Sequence, residues 1–160
     1  METQIIKIKN PENLNMIFGM SHFIKTIEDL YEIMITSGTH VKFGIAFSEA
    51  SGPCLIRHSG NDKSLIDLAV ENLLHIGCGH TFIIFMRDAF PINVLNAIKN
   101  CQEVSRIFTA SANPVEVIKV VTEQGGGVIG VIDGYAPQGV ENEADIEKRV
   151  QFLRNIGYKK

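Results

Sequence analysis

Tryptophan is absent from this chain, and cysteine is scarce: Cys54, Cys78 and Cys101 are the whole supply. Three is an odd number, and no two of them form a C-x-x-C pair, so neither a disulfide framework nor a cysteine zinc site is expected. They read as reduced thiols of a cytoplasmic protein. Long apolar runs are missing too, none approaching the roughly 20 residues that span a bilayer. The opening METQIIKIKNPEN has charge on both sides of a short apolar run and reads as neither signal peptide nor membrane anchor. Positive charge is in short supply: 15 Lys and Arg stand against 18 Asp and Glu, for a net charge of −3. A nucleic-acid groove needs a basic stripe, so that class is set aside. A small anionic ligand needs only one or two local cations and stays open.

Several catalytic signatures are absent as well. No G-x-x-x-x-G-K-[ST] occurs, which excludes a P-loop enzyme, and the H-R-D and D-F-G elements of protein kinases are missing. The five histidines, His22, His40, His58, His75 and His80, never pair at i, i+4, so no helical zinc motif exists and no metal site is expected.

What is present is an ordinary globular composition, 45% hydrophobic and 21% charged over 160 residues, read as one domain over 1–160. QIIKIK and LNMIFGM predict two strands. A helix follows, with Thr26 as its expected cap and Gly38 as its stop. VKFGIAF and HTFIIFM read as buried strands. Between them lie a short strand candidate at CLIR and a helix over 63–75, capped by Asn61 or Asp62. Pro91 opens a short helix. SRIFTASA, VEVIKVVT and GVIGVID predict three more strands, the last two joined as a hairpin through EQGGG. A final helix over about 141–155 carries acids first and bases last, offsetting its dipole. The expected class is α/β, a mixed sheet flanked by about four helices.

FSEASGPCLIRHSGND (47–62) is the densest polar stretch, with Glu49, Ser51, Arg57, His58, Asn61 and Asp62 among two glycines and a proline. His80, after GCG at the mouth of a buried strand, and His22, between a strand and a helix, are the other well-placed imidazoles. Each is equally readable as a histidine hydrogen-bonded to a nearby carbonyl. Asn93 and Asn96 lie one helical turn apart after Asp88; amides offer donors and acceptors together, yet a cap with solvated amides explains them as well. ASANP, with Asn113, sits where a strand ends, a common place for ligands or simply a turn. GGGVIG matches G-x-G-x-x-G in form, but a strand follows it rather than a helix, so it reads as a hairpin turn.

Taken together, PENLN, GMSHFIKTIEDLYE, KFGIAFSEASGPCLIRHSGND, GHTFIIFMRDAFPINVLNAIKN, RIFTASANPVEV, GGGVIGVIDG and RNIGYKK resemble the adenosine-specific kinase family over essentially the whole chain. The resemblance implies a homo-oligomer, a homotrimer or dimer of trimers, that binds adenosine or adenosine monophosphate. It also implies phosphoryl transfer through a phosphohistidine, with His80 the first choice, His22 next and His58 third. Arg57 and Arg87 are then the expected hydrogen-bond donors to the phosphoryl oxygens. Glu49 or Asp88 would orient the histidine or bind magnesium, the one cofactor left open. Asn93, Asn96 and Asn113 would read the adenine or ribose. The alternative is a module that binds the same ligands without turnover.

Overall fold

Three strands of the chain, NMIFGMS, KFGIAFS and TFIIFMR, are apolar everywhere between their polar ends, and the architecture explains why. The computed structural model describes all 160 residues. Its elements are β1 (Glu2–Lys7), β2 (Asn15–Ser21), α1 (Thr26–Thr36), β3 (Lys42–Ser48), β4 (Ile56–Gly60), α2 (Lys63–Ile76), β5 (Thr81–Arg87), a 3-10 turn (Pro91–Asn93), α3 (Leu95–Lys99), β6 (Val104–Ser111), β7 (Val115–Val121), β8 (Gly126–Asp133) and α4 (Glu143–Asn155). One sheet has five strands in the order β4-β3-β5-β2-β6, the other three in the order β1-β7-β8. The central β2, β3 and β5 are covered on both faces. Phe18, Ala46, Ile83 and Phe85 pack with α2 and β7, while Phe43, Phe47, Phe82 and Ile84 pack with α1 and α3. Phe18, Phe43, Phe47, Phe82 and Phe85 are fully buried, each worth about 1.5–3 kcal/mol by burial alone.

The α/β class and the four helices agree with the sequence reading; the single mixed sheet does not. All ladders within both sheets are antiparallel. Helical crossovers do join strands that point the same way, namely β2 to β3, β4 to β5 and β5 to β6. Each such pair, however, has an antiparallel strand inserted between its members. These are split β-α-β units, so a crossover read from sequence does not imply an adjacent parallel pair. The β7–β8 hairpin stands as expected.

Local chemistry fixes several boundaries. Asp62 caps α2, its Oδ1 accepting from the Ser64 and Leu65 N–H groups at 2.9 and 3.3 Å, and Gly77 closes the helix at φ 59°. Asn142 caps α4 in a capping box with Asp145. Thr26 is not a cap but the first residue of α1; its hydroxyl donates to the Phe23 carbonyl at 2.6 Å. Gly44 is where α2 crosses β3, and a Cβ there would stand 2.2 Å from Leu65 and Ile66 backbone atoms. No helix is long and apolar enough to cross a membrane.

Candidate functional site

Strands β3 and β5 run antiparallel with Phe47 opposite Phe82, so the end of β3 and the start of β5 emerge together. The loop after β3 turns back within seven residues, the Glu49 N–H donating to the Leu55 carbonyl at 3.3 Å. His80 enters β5 in the left-handed region at φ 60°. For a histidine this strain is on the order of 1–3 kcal/mol. Its N–H donates to the Ser48 carbonyl at 2.7 Å, and its carbonyl accepts from the Ser21 N–H at 2.9 Å. The His80 main chain is thereby fixed at a junction of β2, β3 and β5, and its ring stacks on Phe47 at 6.0 Å between centroids.

Glu49 is the hub of this junction. Its Oε1 accepts from the Ala50 N–H at 2.9 Å, the Ser51 N–H at 3.2 Å and the Ser51 hydroxyl at 3.0 Å. Its Oε2 meets the Arg57 Nη1 at 3.0 Å, and the His80 Nε2 stands 3.7 Å from Oε1. Arg57 also donates to the Ile24 carbonyl at 3.2 Å. The Ala50 N–H first, then Ser51 and Arg57, hold the Glu49 carboxyl below its ordinary value against the opposing effect of burial. A carboxylate so stabilised is a poor proton acceptor but a strong local field.

Glu49 also lines a cavity of about 780 Å³ with Leu55, Ile56, Leu73, Gly79 and Gly126. Glycine makes the wall thin. A Cβ on Gly126 would lie 2.6 Å from the Gly77 carbonyl oxygen, and one on Gly79 would lie 2.7 Å from the Ala50 Cβ. His80 and Arg57 are not among the lining residues; they meet the same carboxylate beside Phe47, on the sheet face that packs against α1.

The structure therefore brings Glu49, Ser51, Arg57 and His80 together. His22 lies at the same end of the sheet, exposed, with its Nδ1 2.8 Å from the Glu103 carbonyl. A carbonyl only accepts, so in the neutral ring Nδ1 carries the proton and Nε2 the lone pair. His58 is an exposed β4 residue. At the opposite end of the sheet, Asn61 bridges the Phe43 N–H and the Val41 carbonyl at 2.8 and 2.9 Å. Arg87 there joins Asp62 at 3.1 Å and Glu12 at 2.8 Å, and Asp88 is exposed at φ 57°. Asn93 spends its Oδ1 on the Phe90 N–H at 2.8 Å. Asn96 lines a separate apolar pocket of about 470 Å³ with Asn15, Phe90, Leu95 and Tyr158.

Asn113, a candidate from the sequence, belongs to a polar centre whose acid, Asp133, the sequence reading did not single out, and the buried Lys119 was not singled out either. Asp133 gathers Thr109, Ser111 and Asn113, with Ser111 Oγ at 2.7 Å and Asn113 Nδ2 at 3.3 Å. Burial pushes its carboxyl up, but those hydrogen bonds outweigh it and leave the net shift downward. Lys119 is buried and donates to the Ile76 carbonyl at 2.7 Å, complementing the negative end of α2. Its signal was readable: in VEVIKVV it falls on the same alternating face as Val115 and Val117.

For magnesium, Glu49 offers little: three donors share its Oε1, and the one lone pair left on Oε2 lies beside the Arg57 guanidinium, a cation that would repel a second one.

A family model described as adenosine specific kinase matches residues 6–159. The chain belongs to the adenosine-specific kinase family. A crystal structure of the PH1918 protein from Pyrococcus horikoshii OT3 is 44% identical, with a TM-score of 0.93, over 99% of this chain and 98% of that one. A search of the curated proteins gave no match. Family and fold thus extend over the Glu49 junction, the glycine-walled cavity and the Asn96 pocket alike.

Proposed function

We propose that this protein binds adenosine and adenosine monophosphate and transfers a phosphoryl group through a histidine at the Glu49 junction. The observation that carries the reading is the Glu49 carboxylate, fixed by four donors between Arg57 and His80 at the rim of a large cavity. In the neutral ring, a proton on the His80 Nε2 faces Glu49 and leaves the lone pair on Nδ1. That lone pair forms the N–P bond while the donor's P–O bond breaks and its electron pair leaves on the donor oxygen. The resulting imidazolium-like ring is stabilised by the adjacent carboxylate. In the second half, a nucleoside hydroxyl oxygen attacks phosphorus, its proton passes to solvent, and the N–P bond breaks back to imidazole. His22, with Nδ1 committed to a carbonyl, presents Nε2 for the same role and is the second choice.

Intact mass and phosphorus NMR after incubation with a phosphoryl donor test this. The His80→Ala protein is expected to lose the label; labelling unchanged in His80→Ala and in the His22→Ala/His80→Ala double variant refutes the relay.

A second reading, binding without turnover, is favoured by the Asn96 pocket, where Phe90 and Tyr158 offer flat apolar surface beside the Asn15 and Asn96 amides. Adenosine would then stabilise wild type but not Asn96→Ala against heat, with no product formed.

The same proposal takes residues 1–160 as one unit, assembled as a trimer-based homo-oligomer in the cytoplasm. Helix α4 buries no residue, and Phe152 and Ile129 are 60% and 59% exposed. Such surface calls for a partner face. Sedimentation of Phe152→Glu is expected to show smaller species than wild type, and identical profiles would remove α4 from the interface.

A further inference from the structure

We infer that Asp29, Cys101 and Glu103 form a site for a divalent transition-metal ion, with zinc the class of cation that suits their donors. Glu103 is the starting point. Its side chain is only 2% exposed, and neither carboxylate oxygen has a hydrogen-bond partner. A buried carboxylate whose oxygens accept no hydrogen bond is costly for a fold to hold and calls for a close counter-charge. The nearest cation, the Lys25 ammonium, stands 3.6 Å from Oε2 and is engaged by Asp29 at 2.5 Å.

The placement of Glu103 is not accidental slack. Its carbonyl accepts from the His22 N–H at 3.2 Å, the His22 ring at 2.8 Å and the Ser21 hydroxyl at 3.2 Å. The Val104 N–H closes the turn onto the Cys101 carbonyl at 3.0 Å. With the main chain so held, one ligand atom each from Glu103, Cys101 and Asp29 lies within 4.8 Å of the others. An open groove of about 630 Å³, lined by Asp29, Glu32, Cys101 and Gln102, gives an ion and a fourth, water ligand access from solvent.

The donor set selects the cation. Magnesium and calcium take oxygen ligands, whereas a thiolate beside two carboxylates suits a borderline-soft ion. Zinc accepts both donor types, and three protein ligands leave one position for water. On binding, Cys101 gives its proton to solvent, and the half-exposed Lys25 swings outward. The ion then ties α1 to the turn whose Glu103 carbonyl orients His22. This inference is independent of the proposed function.

Full-length reduced protein, stripped with a chelator, is titrated with cobalt(II) while the near-ultraviolet thiolate-to-cobalt charge-transfer band is followed, and then competed with zinc. The expected result is one equivalent bound, with the band absent in Cys101→Ser and retained in Cys54→Ser. Glu103→Gln should weaken binding roughly tenfold or more. Lys25→Met, which removes the competing ammonium, should tighten it. Circular dichroism confirms that each variant is folded. A band that follows Cys54, or folded wild type and Lys25→Met that bind neither metal, overturns the site and leaves Lys25 as the sole counter-ion of Glu103.

Discussion

Replacing Glu49 with glutamine keeps the side chain's size while removing its charge, and so isolates what the carboxylate does. The amide oxygen can still accept from Ala50 or Ser51, but the hydrogen bonds at 2.9, 3.0 and 3.2 Å lose their charge assistance. A hydrogen bond to a charged group is worth about 1.5–3 kcal/mol and a neutral one about 0.5–1.5 kcal/mol, and contributions sharing one acceptor do not add fully. The Arg57 pair, with its partners' side chains 36% and 12% exposed, is discounted for solvent screening to about 0.2–1 kcal/mol. The net loss is about 2 kcal/mol, or about 4–8 °C in Tm for a chain of this size. Thermal denaturation at neutral pH measures it. The sign of the pH dependence follows from the depressed Glu49 pKa. Its contribution is full above the unfolded glutamate value of about 4.3 and disappears as pH falls through the lower folded value. The gap between wild type and Glu49→Gln must therefore close in acid. Coincident melts at pH 7 refute the hub, and a gap that persists undiminished in acid shows that its origin is steric.

Two further outcomes test the frame around the site. Gly44→Ala places a methyl 2.2 Å from the α2 backbone, so α2 must shift; a loss of about 1–3 kcal/mol is expected in denaturant titration, and an unchanged midpoint refutes the close crossing. Asp62→Ala removes the α2 cap and should cost about 1 kcal/mol, whereas Asp62→Asn retains a good cap and should cost less. The Asp62 carboxyl is held low, chiefly by the Ser64 hydroxyl, so the deficit of the alanine variant should shrink in acid melts as Asp62 protonates in wild type; a constant deficit counts against the charge.

The sequence was informative wherever one local rule governed the outcome. β-Branched and aromatic runs marked β3 and β5, the Asn61-Asp62 pair marked the start of α2, where Asp62 is the cap, and the GGG turn marked the β7–β8 hairpin. It was silent where non-local pairing decided. Nothing in the spacing of β4, α2 and β5 reveals that β3 lies between the two strands. The same limit applied to the candidate site. Glu49, Ser51 and Arg57 share one loop and the strand beside it, so their proximity was readable. Asn61 and Asp62 belong to the same quoted stretch, yet β4 carries the chain to the far end of the sheet before they occur. Glu103 gave no local sign at all, because its burial depends on α1 packing over a turn more than 70 residues later.

That separation constrains the chemistry. At about 3.3 Å per residue, the seven residues of β5 put His80 and Arg87 roughly 20 Å apart. The Asn96 pocket, which includes Phe90 and Asn15, lies at the Arg87 end, since Asn15 is opposite Met86. An adenine held there could not present its own ribose to His80 of the same subunit. For the relay proposed above, either the nucleoside would occupy the glycine-walled cavity beside Glu49, or a neighbouring subunit of the proposed oligomer would bring its Asn96 pocket to this His80. The two arrangements differ in mixed oligomers. If His80→Ala and Asn96→Ala subunits are inactive alone, mixing them restores part of the activity only when the two residues act across an interface. With both in one subunit the mixture stays inactive, and if the cavity beside Glu49 holds the base, Asn96→Ala is active from the outset.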